Sequence, residues 1–460
     1  MANVYMSYLG TNKYISCIYY DTANQTHECR FVQEATLLFN CKDWTENDRI
    51  IIFTTDDAYQ KNWINSDKYN PETNANDSTP GLESCIQSLN LKPQVSQISI
   101  PKGVSQDEIW GIFRATYDQL NPGDTVTFDI THAFRTIPML AIVVLNYAKI
   151  MKQIQLKGIF YGAFETLGSI QQAANIPVEQ RKVPIIDYTA LDQLLEWTTA
   201  IDNYIKTGHY EHIGSLTEKE ARYLLSKSKG QDIQFRNFRN LGVHLQKFSE
   251  DLSTVQGLSI SGDVQRIKRS ITQCIGLDLN EPFKPVFQKI QSYMDAFIGE
   301  PSEASSSEGA PKEETASSEL ALTEYSIPNL IQAAQWCLDH NMIQQSITLI
   351  METMISYFLD QIHVNPIDFK NRQTMEYRNL VNRVLNRFIN GSQYNDDSHP
   401  DICKKLMVYF TQHEDLVKKY WDMIYIRNSI NHAGHSQSPI SAKNIKPTIS
   451  NFLELLKNYI

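Results

Sequence analysis

The sequence has seven cysteines (Cys17, Cys29, Cys41, Cys85, Cys274, Cys337 and Cys403) but no CxxC pair, and none of them has a histidine partner at zinc-finger spacing. Neither a structural metal site nor a disulfide framework is therefore expected. No basic segment precedes an apolar run and a small-residue cleavage site, so MANVYMSYLG does not read as a signal peptide and a cytoplasmic protein is the default expectation. Long hydrophobic runs are missing as well. The longest, Ile137 to Ala148, falls short of the roughly 20 residues that span a bilayer, so no membrane partner is expected. Positive charge is not in excess: the formal net charge is -10. That argues against broad, sequence-independent nucleic-acid binding, which depends on extended phosphate neutralisation. An RNA substrate would have to meet its cations in a local cleft. No repeat of 20 to 50 residues is evident.

The chain has 460 residues, 42% of them hydrophobic, which suits two or three ordinary domains. Over the first 165 residues, short apolar or β-branched runs (Val4 to Leu9, Arg49 to Thr54, Val95 to Ile100, Thr125 to Thr131, Leu156 to Tyr161) alternate with helix-periodic segments such as Asp107 to Leu120 and Phe134 to Lys152. That rhythm predicts a mostly parallel, Rossmann-like α/β sheet with helices on both faces. Tyr14 to Tyr20 and Glu28 to Gln33 flank an Asp-Thr-Ala-Asn turn region and read as an inserted hairpin. Beyond about residue 187 the pattern turns helical, in Leu191 to Thr207, Glu218 to Ser226 and Phe235 to Leu252. Gly299 to Glu319 carries six Glu against one Lys and no large apolar residue after Pro301, so it reads as a flexible acidic loop. Helical segments follow at Pro328 to Asp339, Gln344 to Ile362, Met375 to Phe388, Asp401 to Ile430 and Ile445 to Tyr459. The expected division is an α/β domain over 1–185, a helical connector over 186–320 and a helical domain over 321–460.

Two places carry chemistry. In an open parallel sheet, ligands bind beyond the carboxyl ends of the strands, where backbone amides and helix N-termini point outward. Here the first strand runs into Gly10, Thr11 and Asn12, a small polar turn that a phosphodiester can approach. The strand after Thr125 runs through Asp129 and Thr131 into His132 and Arg135 at the start of an apolar helix. Thr131 can cap that helix, and His132 and Arg135 can meet a phosphate. Near the other end, Arg427-Asn428-Ser429-Ile430-Asn431-His432 closes a helical segment that Gly434 can terminate. Asn428 and His432 share a face at i and i+4, with Arg427 one residue behind. A His can move protons and an Arg can hold the phosphate when RNA is cut by its own 2′-hydroxyl. The spacing alone discriminates poorly, because Arg239 and His244 repeat it; the apolar Leu241 and Val243 and the interior Gly242 suit that copy to a packed connector.

Asp129 to Phe134 closely resembles the Asp-x-Thr-His-Gly motif of CARF-domain proteins of type III CRISPR systems, with Ala133 where glycine is usual. SYLGTNKY, FTTDDA at Phe53 to Ala58 and GIFYGAFE at Gly158 to Glu165 resemble that family's strands and their loops. Arg427, Asn428 and His432 resemble the Arg-x4-6-His signature of HEPN ribonucleases. The resemblance implies a homodimer, with the option of a higher oligomer, whose CARF sensor binds one cyclic oligoadenylate, cyclic tetra-adenylate being the commoner ligand. It further implies metal-independent cleavage of single-stranded RNA at a composite HEPN site, leaving 2′,3′-cyclic phosphates and requiring no cofactor. Two other functions are compatible with the same motifs: a ring nuclease acting on the cyclic ligand through Thr131 and His132, and a nucleotide-sensing regulator without ribonuclease activity.

Overall fold

Along the first strand Val4, Met6 and Tyr8 alternate with Tyr5, Ser7 and Leu9, and both sets are buried, as the central strand of a parallel sheet covered on two faces requires. The computed structural model describes residues 1–70, 75–131, 137–227, 233–275, 284–297, 327–366, 372–391, 399–433, 435 and 440–460. It forms two compact units, Met1–Leu195 and Glu196–Ile460.

The first unit contains strands β1 (Asn3–Leu9), β2 (Cys17–Tyr20), β3 (Thr26–Cys29), β4 (Arg49–Thr54), β5 (Ser66–Asn70), β6 (Ala75–Thr79), β7 (Gln94–Ser99), β8 (Thr125–Asp129), β9 (Gln155–Gly162) and β10 (Lys182–Asp187). Eight of them form one sheet in the order β3-β2-β10-β9-β8-β1-β4-β7, and β5 and β6 pair separately. β1 is parallel to both β4 and β8, and β9 is parallel to β8, whereas β10 runs antiparallel to β9. The expected mostly parallel sheet is present.

From β1 the chain builds outward through β4 and β7, then returns to the other side of β1 to lay down β8 and β9. The order reverses between β1 and β8. That reversal is the topological switch point at which open α/β sheets leave a crevice. One face buries Val4, Met6, Tyr8, Phe53 and Phe128 against Ile112, Ala141 and Leu145; the other buries Tyr5, Ile50 and Ile52 against Leu37, Leu82 and Ile86.

Some boundaries differ from the sequence expectation. The second arm of the inserted hairpin is Thr26–Cys29, and Val32 already begins a helix, Val32–Cys41. The Glu34 carboxylate accepts the Phe31 N–H at 3.0 Å, which satisfies a backbone donor at the helix start and holds the chain in its turn from strand to helix. β5, β6 and β10 were not anticipated. β10 joins the hairpin to the main sheet by pairing in parallel with β2.

The second unit is built of helices, from Glu211–Lys227 and Ile233–Ser253 through Ile343–Gln361 and Arg372–Asn390 to Ala442–Leu456. The helical run expected over Asp401 to Ile430 breaks at His413 (φ -123, ψ 42) into Pro400–Gln412 and Glu414–Asn431. Ile347, Phe358, Leu385, Phe410, Tyr420 and Phe452 are among its buried side chains. The acidic segment 299–319 lies outside the described residues. Among the described residues, no helix is long and apolar enough to cross a membrane.

Candidate functional site

β1 and β8 are in register, Ser7 opposite Asp129, so their carboxyl ends emerge side by side. Asp129 is fully buried. Its Oδ2 accepts from Ser7 Oγ at 3.0 Å and from Tyr5 OH at 3.2 Å, and its Oδ1 accepts from Thr131 N at 3.0 Å and Thr131 Oγ1 at 2.5 Å. Burial pushes the Asp129 carboxyl above its usual range, and the bonds from Thr131, Ser7 and Tyr5 pull the other way. Asp129 therefore acts as a tie between two strands and the turn that follows, with its oxygens directed into the protein. Thr131, half-exposed, receives its position from Asp129 and accepts the Gly162 N–H at 2.8 Å. His132 and Arg135 lie outside the described residues.

Gly10, Thr11 and Asn12 follow β1 as expected. The buried Asn62 side chain donates to the carbonyls of Gly10 (2.8 Å) and Asn12 (3.0 Å). This clasp leaves the turn's outer surface open, and Asn12 is exposed.

A cavity of about 290 Å³ opens beside this turn, lined by Asn12, Lys13, Tyr14, Thr131, Tyr161 and Glu165 among others. It lies where the turn after β1 and the ends of β8 and β9 meet. Gly162 forms part of its wall because nothing larger fits: a Cβ there would stand 2.5 Å from Val32 Cγ2. Tyr161 donates to both carboxylate oxygens of Glu165 at 3.0 Å, and burial, then that carboxylate, raises the Tyr161 phenol to about 12. Arg30 also lines the cavity, its guanidinium 4.4 Å from the Phe31 ring centroid.

Sequence reasoning brought Asn12 and Thr131 to this place and missed Tyr14, Arg30, Tyr161 and Glu165. Tyr161 and Glu165 stand in GIFYGAFE at the carboxyl end of a strand, which is itself a signal in this class of sheet. Arg30 arrives from the inserted hairpin, and no local pattern marks it.

The second candidate site lies in the other unit. Arg427 and Asn428 occupy the last turn of Glu414–Asn431, and His432 is its C-cap, with its N–H donating to Asn428 O at 3.0 Å. Asn428 and His432 are exposed, and Arg427 is half-buried. Arg427 Nη1 donates to Asn428 Oδ1 at 3.1 Å, which aims both groups to one side. Beyond the helix Ala433 is left-handed (φ 52); Gly434, the expected terminator, lies outside the described residues. Among the described residues, no hydrogen bond joins Arg427 to His432.

The other Arg-x4-His copy is built differently. His244 is half-buried and its Nδ1 lies 2.9 Å from Ser270 Oγ; burial and then Arg266 lower its pKa. Leu241 is fully buried, and a Cβ on Gly242 would meet Thr217 Oγ1 at 2.4 Å. Val243, by contrast, is exposed. This copy is a helix contact.

No protein-family profile matches the chain. Over 131 residues the chain is 29% identical to the CRISPR-associated protein MJ1674 of Methanocaldococcus jannaschii, a match that spans 28% of this chain and 19% of that protein.

Proposed function

We propose that this protein is a cyclic oligoadenylate-activated endoribonuclease of CRISPR defence that cuts single-stranded RNA without a metal. The observation that carries the proposal is the set Arg427, Asn428 and His432, presented together at one helix end, where Arg427 donates to Asn428 and both Asn428 and His432 are exposed. In this reading His432 moves the proton of the 2′-hydroxyl, and Arg427 meets the charge that builds on the phosphate. Asn428 orients Arg427.

The cavity at the switch point supports the sensor half. Its walls combine aromatic rings (Tyr14, Tyr161) for bases with Lys13, Arg30 and the Asn12 turn for phosphodiesters. The similarity to a CRISPR-associated protein gives the system in which such a sensor would work. A homodimer is supported by the helix Ile137–Lys152, which presents Met139, Val143 and Ile150 to solvent at 72%, 57% and 75% exposure. An apolar stripe of this kind on a lone chain marks an interaction surface.

The decisive experiment is cleavage of labelled RNA with and without cyclic tetra-adenylate, in excess EDTA. Ligand-dependent cleavage leaving 2′,3′-cyclic phosphate ends is expected. Loss of activity on chelation, restored by a divalent ion, would overturn the mechanism. Decay of the cyclic ligand without RNA cleavage would point to a ring nuclease, and binding with neither reaction to a nucleotide-sensing regulator.

A further inference from the structure

A second cavity, of about 230 Å³, opens in the helical unit and is lined by Leu258, Leu330, Leu349, Glu352, Thr353 and Arg378 among others. Its chemistry is asymmetric. The apolar walls come from Leu258, Leu330 and Leu349, and the turn at Gly257 approaches them so closely that a Cβ there would lie 3.0 Å from Leu349 Cδ2. The polar wall comes from Ile343–Gln361 and Arg372–Asn390.

Arg378 is only 7% exposed, and its guanidinium donates to Glu352 Oε2 (2.6 Å), Ser356 Oγ (2.8 Å) and the carbonyls of Glu352 and Pro366. Those bonds fix the Glu352 carboxylate by one oxygen. Glu352 Oε1 has no hydrogen-bond partner among the described residues, and the side chain, which lines the cavity, is 63% exposed. Deeper in, Thr353 is 1% exposed and its Oγ1 has no hydrogen-bond partner among the described residues. A buried hydroxyl left unpaired is costly unless something supplies its bond.

The cavity also neighbours the Arg427 end of the unit. Gln344, Thr348 and Glu352 recur every four residues on one helix face. Gln344 Nε2 reaches Asn431 Oδ1 at 3.5 Å, which sets this row beside the helix end that carries Arg427 and His432. At its other end, Tyr420 OH donates to Met351 O at 3.1 Å, and Glu352, Arg378 and Arg427 all act electrostatically on that hydroxyl.

We infer that this cavity holds one base of the RNA substrate and selects bases carrying an exocyclic amino group. The inference rests on the RNA-cleaving reading above and adds the base preference to it. The volume lies below the roughly 300 Å³ at which sites for drug-sized ligands begin and suits a single flat ring system between leucines. Glu352 Oε1 accepts from an exocyclic amino group, and Thr353 donates to a ring nitrogen. Uracil, with carbonyls on both sides of its single N–H, sets an oxygen against the carboxylate and is disfavoured.

The test has two arms on the full chain. In the first, binding of uncleavable deoxyadenosine and deoxyuridine hexamers is measured by fluorescence anisotropy for the wild type, Thr353→Val and Leu258→Trp. The wild type should favour deoxyadenosine by about five- to tenfold, the value of one satisfied bond against an unpaired group. Thr353→Val should shrink that ratio and Leu258→Trp, which fills the cavity, should remove it. A ratio measured on one preparation cancels any change in the folded fraction. In the second arm, the same variants cut RNAs that differ only in the base flanking the scissile bond. Equal binding of both hexamers by the wild type, or variants that scale all substrates alike, would overturn the inference. Discrimination in binding with no cleavage of any RNA would keep the cavity's role and overturn the ribonuclease reading instead.

Discussion

Replacing Asp129 separates its structural work from any direct role in ligand binding. Asp129→Ala removes the acceptor for Thr131 N, Thr131 Oγ1, Ser7 Oγ and Tyr5 OH. Two of these donors have other acceptors, since Tyr5 OH contacts Thr36 Oγ1 at 2.6 Å and Ser7 Oγ reaches Tyr8 O at 3.4 Å. Thr131 N and Thr131 Oγ1 are left without one, though the hydroxyl of this half-exposed residue can turn to water. At about 1 kcal/mol for the part-buried Thr131 N–H, the low end of the range for a stranded donor, and with about 1–2 kcal/mol for the cavity left in the buried network, the loss should be about 2–3 kcal/mol. Asp129→Asn should cost about 1 kcal/mol, because the amide oxygen still serves Thr131 and the hydroxyls of Ser7 and Tyr5 can turn to accept. The pH dependence has a definite sign. Burial raises the folded pKa of Asp129, so its contribution is fully present below the unfolded value of about 3.9 and is lost as pH rises through the folded value. The wild type should therefore lead Asp129→Asn most at pH 4, and the gap should narrow toward pH 7. Oxidation of the buried Met6 by hydrogen peroxide across a urea series, read by mass spectrometry, reports on this unit in the whole chain. A midpoint for Asp129→Ala within about 0.5 kcal/mol of the wild type, the scatter of an ordinary surface substitution, would refute the network.

His432→Ala or Arg427→Ala should reduce RNA cleavage at least about 100-fold with an unchanged melting temperature, whereas His244→Ala should keep the rate and lose about 1 kcal/mol of stability with its Ser270 contact; thermal shift and initial rates together decide. Thr131→Val, His132→Ala and Arg135→Ala should each weaken cyclic ligand binding and raise the concentration for half-maximal cleavage while leaving the saturated rate intact. Titration calorimetry alongside activation curves checks this, and a change confined to the saturated rate counts against the sensor. Val143→Asp and Ile150→Asp, on the exposed face of Ile137–Lys152, should shift the protein to a monomer in light scattering and lower cleavage with it. A dimer that persists in both would place the interface elsewhere.

How much of this was legible in the sequence follows from the range of the forces involved. The strands at Arg49 to Thr54 and Thr125 to Asp129 announce themselves because a doubly covered parallel strand needs apolar residues on both faces, and both are buried almost throughout. β10 (KVPIID) and the pairing it brings to the hairpin do not, since its parallel partner β2 lies far away in the chain. The apolar run Ile137 to Ala148 was visible, but not its division into a buried side (Val144, Leu145, Ala148) and an exposed one (Met139, Val143). A sequence shows how apolar a helix is without showing what covers each side. The two candidate sites illustrate the same limit. Arg427, Asn428 and His432 lie within one and a half turns of helix, so local geometry suffices to join them. In the α/β unit, the chain order Asp129-Ile130-Thr131 put Asp129 among the residues expected to meet a ligand. Three-dimensional register instead turns its carboxylate toward Ser7 and Tyr5, more than a hundred residues earlier. Its neighbour Thr131 is left at the cavity, held by that same carboxylate. Asp129 thus holds Thr131 from behind, and chain order alone does not show which of the two lines the cavity.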